Sequence, residues 1–281
     1  MRTDHILGLG SKGFHRVHYT EWGEPENSRV LLCAHGLTRS GRDFDFLAEN
    51  LQDVYRIVCP DLPGRGMSDW LSDPTDYGYR VYATDMAILI ARLNVTQVDW
   101  LGTSMGGLLG MLVAAMVNAP VRRFVLNDIG PALPEAAMAR IGSYVGKDER
   151  FADLRAADDY MRVTYAPFGK LTDAQWQHLA RHSVKQLPAG GYALHYDPAI
   201  GQAFSQIANE ALNLWSIWEA IQCPVLVLRG EHSDVLLPEM AQEMRERNPR
   251  AQVTEVRGAG HAPPLMAEDQ IKLVRDWLLK A

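Results

Sequence analysis

The sequence predicts an α/β fold: a mostly parallel eight-stranded sheet flanked by helices, with a helical segment inserted late in the chain. Three observations predict it. Short apolar runs alternate with helix-like segments. A serine framed by glycines stands at one predicted strand-to-helix junction. One stretch of roughly 85 to 90 residues breaks the alternation, where an ordinary strand connection takes about 2 to 6.

Residues 29–35, 55–61, 98–104, 121–128, 223–231 and 252–256 read as strands. Several are nearly continuous apolar runs, as expected when both faces of a parallel strand are covered. Residues 15–22 alternate and end at Gly23, the pattern of an antiparallel edge hairpin. Residues 44–51, 79–93, 105–117, 238–248 and 267–279 read as the intervening helices. Between 131 and 219 no strand is evident, and helix-like segments cover 134–144, 151–165, 173–183 and 215–220. Turn signals at 188–191 and 197–198 separate them. The expected division is a core of 1–130 and 220–281, with 131–219 as a helical cap over the carboxyl edge of the sheet.

The chain has 281 residues, 47% of them hydrophobic and 22% charged, the composition of an ordinary globular protein. A formal net charge of -6 without a basic run excludes a general attraction for nucleic acid. The first fourteen residues have no sustained apolar core, which predicts no secretory signal, and no run of about 18 apolar residues predicts a membrane span. Cys33, Cys59 and Cys223 are odd in number and widely spaced, so they read as reduced thiols of a cytoplasmic protein. Metal-ligand spacings are absent from the sequence.

Candidate chemistry gathers at the carboxyl ends of the predicted strands, where open α/β sheets place ligands. Ser104, in Gly102-Thr103-Ser104-Met105-Gly106, has the form of a nucleophile elbow. His261 follows the last strand between two glycines and two prolines and is the candidate general base. Two aspartates compete to orient it, Asp234 after the 223–231 strand and Asp128 after the 121–128 strand. Both satisfy the chain order serine, acid, histidine; Asp234 is favoured because it follows the strand after the insertion. Asp128 otherwise reads as a loop organiser. Glu231 and His232 read as exposed loop residues.

An acyl-transfer site also needs two N–H donors for an oxyanion. Met105, after the serine, supplies one, and the Ala34-His35-Gly36-Leu37 loop supplies the other from Leu37. His35 reads as a support for that loop.

With these residues in place, the whole chain resembles the α/β-hydrolase fold superfamily. The resemblance rests on His35-Gly36, Asp61-Leu62-Pro63-Gly64-Arg65-Gly66-Met67-Ser68, residues 102–107, residues 230–234 and Gly260-His261, in that order. It implies a Ser104-Asp234-His261 triad, no metal and no organic cofactor, and it implies that the Asp61 to Ser68 loop supports the sheet edge without performing chemistry. A serine at the elbow sets the chain apart from the dehalogenases and epoxide hydrolases of the superfamily, which resemblance would give an aspartate there. Its oxyanion loop also departs from the H-G-G-P-G of proline iminopeptidases.

The expected activity is hydrolysis of a small carboxylic ester through an acyl-enzyme. The alternatives are carbon–carbon bond hydrolysis of meta-cleavage products and, in another class, a ligand receptor or scaffold with weakened chemistry. The carbon–carbon alternative needs a cationic carboxylate anchor, for which Arg39 and Arg42 are the candidates. Met138, Tyr144, Tyr160, Met161, Tyr165, Phe168, Trp176, Trp215 and Trp218 are the apolar side chains from which a substrate pocket would be drawn, most of them expected to pack the cap's own core.

Overall fold

The computed structural model describes residues 1–208 and 212–280. Its main sheet has eight strands: β1 (Arg2–Gly10), β2 (Gly13–Trp22), β3 (Val30–Ala34), β4 (Arg56–Pro60), β5 (Val98–Thr103), β6 (Val121–Asn127), β10 (Val225–Gly230) and β11 (Ala251–Val256). Their spatial order is β1-β2-β4-β3-β5-β6-β10-β11. The two pairings of β2 are antiparallel, and every pairing from β4 to β11 is parallel.

Strands β3, β4 and β10 are largely apolar on both faces because both faces are covered. In β3, Leu31 and Cys33 join the layer of α1 (Asp45–Leu51) and α10 (Glu268–Leu279), with Leu47, Leu51, Val274 and Trp277. Val30, Leu32 and Ala34 face the other layer, with Met86 of α2 (Tyr79–Arg92), Leu109 of α3 (Met105–Ala114) and Met244 of α9 (Pro238–Arg247). The period of two along the strand thus sorts one sequence run into two cores.

Strand β1 lies outside the sequence expectation, which placed only 15–22 on this edge. It pairs with β2 from Arg2↔Glu21 to Gly10↔Gly13, and its outward residues include Asp4, His5 and Leu7. An edge strand covered on one side carries too little apolar signal to be read alone.

Between β6 and β10 the chain forms α4 (Glu135–Gly142), α5 (Leu154–Thr164), α6 (Asp173–Ser183), α7 (Ile200–Ala208) and α8 (Trp215–Ala220). Thr172 closes a capping box with Gln175 at the start of α6, and Asp153 caps α5. Three short strands also lie here, contrary to expectation: β7 (Arg150–Phe151), β8 (Val184–Gln186) and β9 (Tyr192–Leu194), in the order β7-β9-β8. Two or three residues are too few to show a period.

Candidate active site

Ser104 occupies the junction between β5 and α3 with φ 52 and ψ -115, a conformation that costs a non-glycine residue energy. Its neighbours make the turn possible. A Cβ on Gly102 would stand 2.2 Å from the Gly106 carbonyl oxygen, and one on Gly106 would stand 2.0 Å from that of Ala34. Ser104 is also pinned by its backbone: its N–H donates to Asn127 at 3.0 Å, and its carbonyl accepts from Gly107 and Leu108 at 2.8 and 3.0 Å.

His261 lies against it. The imidazole Nε2 is 2.9 Å from Ser104 Oγ, and Nδ1 is 2.8 Å from Asp128 Oδ2. With Nδ1–H donating to the carboxylate, Nε2 is free to accept the Ser104 hydroxyl proton. Asp128 is fully buried, and it further accepts the Gly230 N–H at 2.7 Å and the Ser233 hydroxyl at 2.6 Å.

This arrangement corrects the choice of acid: Asp128, not Asp234, is the carboxylate on His261. The reason is the strand order. Asp128 directly follows β6, the neighbour of the elbow strand β5, whereas the loop after β10 docks onto Asp128 through Gly230 and Ser233. Asp234 is thereby turned outward, 42% exposed, onto Arg140 of α4, with Oδ2 2.5 Å from Nε and Oδ1 2.8 Å from Nη2. Burial raises the Asp234 pKa, but the Arg140 guanidinium outweighs it and holds the carboxyl below its usual range. The sequence offers Asp128 as a candidate, polar at the end of the 121–128 strand, but holds nothing that ranks it above Asp234.

The two expected oxyanion donors border the same cavity as Ser104 and His261. Among the described residues, neither the Leu37 N–H nor the Met105 N–H donates to a protein group. Met105 opens α3, where free N–H groups and the helix dipole favour negative charge. Completely buried, His35 supports the loop: Nδ1–H donates to Gly36 O at 2.7 Å, and Nε2 accepts the Leu62 N–H at 2.9 Å. Burial pushes its pKa down to about 4, so it stands neutral in that bridge. Asp61, at the start of the glycine-rich loop, accepts from Gly41 and Met67 N–H at 2.8 and 2.9 Å.

Of the nine apolar side chains expected to supply a pocket, Met138, Tyr144, Tyr165 and Phe168 line the cavity and the other five do not. Trp218 is fully buried, its indole N–H donating to Met244 O at 2.8 Å. Ala137 and Ile141 of α4 and Ile200 of α7 are among the other apolar residues of the wall, positions with no distinctive sequence signal. The Tyr165 hydroxyl meets Thr38 Oγ1 at 2.8 Å, joining this wall to the oxyanion loop.

Neither candidate anchor is free. Arg39 lines the cavity but is held bidentately by Asp43 at 2.9 and 2.7 Å, and Arg42 lies outside the cavity lining, on Asp45. Glu231 and His232 are exposed, and Glu231 accepts the Gly258 N–H at 2.8 Å.

Residues 29–266 match the family described as alpha/beta hydrolase fold. The 3-hydroxybutyrate-oligomer hydrolase of Cupriavidus necator is 46% identical, over 100% of this chain and 98% of that protein. N-formylmaleamate deformylase of Pseudomonas putida is 28% identical, over 89% of this chain and 87% of that protein. A solved structure of a proposed hydrolase from Rickettsia typhi superposes with a TM-score of 0.94 at 35% identity, covering 100% of both chains.

Proposed function

The chain belongs to the α/β-hydrolase fold family, and from that premise we propose that it is a serine hydrolase cleaving small carboxylic esters through an acyl-enzyme. One observation carries the reading: His261 lies 2.9 Å from Ser104 Oγ through Nε2 and 2.8 Å from buried Asp128 through Nδ1. In this mechanism His261 takes the Ser104 proton as Oγ attacks the ester carbonyl. The tetrahedral oxyanion is received by the Leu37 and Met105 N–H groups. His261 then protonates the departing alkoxide, leaving acyl-Ser104 and free alcohol. Water enters, loses a proton to His261 and attacks the acyl carbon; the bond to Ser104 Oγ then breaks, the acid leaves, and His261 returns that proton to the serine. Asp128 keeps the imidazole in the required tautomer and favours its cationic form.

The Cupriavidus relative supports a finer statement, that the substrate is a short oligoester of a hydroxyalkanoic acid such as 3-hydroxybutyrate. In the same reading residues 131–219 form the cap, residues 1–130 and 220–281 the core, and α4 with Tyr165 and Phe168 shapes an apolar site for short chains. The two anchors named for the carbon–carbon alternative, Arg39 and Arg42, are both paired with aspartates, so neither offers a free charge to a substrate carboxylate. Buried, unpaired Cys33 and Cys59 agree with a reducing compartment such as the cytoplasm, and no helix of the described residues is long and apolar enough to cross a membrane.

The test is turnover of the 3-hydroxybutyrate dimer and of p-nitrophenyl butyrate by the wild type and by Ser104→Ala. The expected result is hydrolysis of both by the wild type and a loss of about 10⁶-fold in kcat in the variant. A wild type inert to every ester and unlabelled by a fluorophosphonate would overturn the proposal.

A further inference from the structure

Arg65 sits in the middle of the glycine-rich Asp61 to Ser68 loop, where the family resemblance assigns only a supporting role. Its side chain is completely buried and borders the cavity beside Ser104. Every partner of the guanidinium is neutral. Nε donates to the Leu37 carbonyl at 2.8 Å, Nη1 to the Pro63 carbonyl at 2.7 Å and to the Tyr82 hydroxyl at 2.6 Å, and Nη2 to Met105 Sδ at 3.5 Å. The rings of Tyr82 and Tyr77 lie 5.2 and 5.8 Å from its central carbon. Among the described residues, no carboxylate comes within the 4.0 Å of an ion pair.

A buried charge without a counterion is expensive, and folds ordinarily supply a carboxylate. The other buried guanidinium on this cavity has one, Arg39 on Asp43. Arg65 instead touches the two residues whose N–H groups are the proposed oxyanion donors, Leu37 through its carbonyl and Met105 through its side chain. The loop is built to deliver it there: Gly64 and Gly66 flank it with φ +83 and +52, and a Cβ on Gly66 would strike the Asp61 carboxylate at 2.3 Å.

We infer that Arg65 is a positioning residue of the oxyanion hole: its guanidinium ties Leu37 to Met105, and its charge is left unpaired until the tetrahedral oxyanion forms beside them. The developing anion is the counterion that the resting fold lacks, so the interaction strengthens between ground state and transition state. A lysine keeps the charge but has no planar fork to serve Leu37, Pro63 and Tyr82 together. The inference rests on the acyl-transfer reading above.

The test compares Arg65→Met and Arg65→Lys with the wild type on p-nitrophenyl butyrate, with rates normalised to Ser104 sites titrated by a fluorophosphonate. Affinities are measured for an alkyl trifluoromethyl ketone, which Ser104 converts to a tetrahedral oxyanion, and for the matching unreactive methyl ketone. Arg65→Met is expected to lower kcat about 10²-fold with KM within about threefold, Arg65→Lys about tenfold. Trifluoromethyl ketone affinity should fall by the same factors as kcat while methyl ketone affinity stays within about threefold. The inference is overturned if kcat holds within about threefold, if both ketones weaken together, or if neither variant folds, which would assign Arg65 to stability alone. If the wild type fails to hydrolyse the ester, the underlying reading fails instead.

Discussion

Asp128 Oδ2 accepts the Nδ1–H of His261 at 2.8 Å from the position just after β6, in a site where the carboxylate is completely shielded from solvent. Ser233 and Gly230 donate to the same group, so the loop after β10 is fastened to the residue that orients the imidazole. One buried carboxylate thus holds both the imidazole and the loop after β10.

Buried His35 makes stability depend on pH. Its pKa falls from 6.5 to about 4 on folding because burial penalises the imidazolium. A group depressed in the folded state contributes stability that is present above 6.5 and is lost as pH falls toward 4, on the order of 3 kcal/mol here. His182, also lowered to about 4 by burial, adds to the same slope. Urea unfolding of the wild type and His35→Gln at pH 7 and pH 4.5 checks this: the variant is less stable at pH 7 and loses less on acidification. Equal losses in both proteins would contradict it.

Gly106 is where the elbow is least tolerant. Alanine there brings a methyl group to 2.0 Å from the Ala34 carbonyl, a backbone atom that cannot rotate away. Gly106→Ala is expected to cost about 3 kcal/mol or more and to misplace the neighbouring Met105 N–H. Its thermal midpoint and its kcat should both fall; an unchanged melting curve would show that α3 has room to shift.

The aromatic residues of the 131–219 segment and its neighbours divide by function. Phe168 lines the cavity, whereas Trp218 is completely buried under α9. Phe168→Ala should raise KM for p-nitrophenyl butyrate about tenfold, corresponding to ~1.4 kcal/mol of apolar contact, with little loss of stability. Trp218→Ala should cost about 3 to 5 kcal/mol of folding free energy while leaving the kcat of folded enzyme unchanged. Urea titration paired with steady-state kinetics separates the two, and reversed outcomes would refute the division.

Much of this was legible in the sequence for physical reasons. A parallel strand covered on both faces is largely apolar, which marks 30–34 and 225–228. Ser104 is visible because its turn cannot be made without Gly102 and Gly106, and His261 because its loop carries glycines and prolines at fixed places. The choice between Asp128 and Asp234 was not legible, because it depends on how Ser233 and Gly230 dock onto a neighbouring strand end. Arg65 was hidden for a similar reason: its partners Leu37, Tyr82 and Met105 come from three separate segments. The strands 150–151, 184–186 and 192–194 were hidden by their brevity.

The most direct test of the Ser104-His261-Asp128 relationship is the kcat of Asp128→Asn beside that of Asp234→Asn on p-nitrophenyl butyrate, with folding confirmed by circular dichroism. Asparagine at 128 leaves the shape but fixes the wrong imidazole tautomer, so kcat should fall about 10⁴-fold. Asp234→Asn removes only a partly exposed bridge to Arg140, so kcat should stay within about tenfold and stability within about 1 kcal/mol. A loss of several orders of magnitude confined to Asp234→Asn would contradict the assignment.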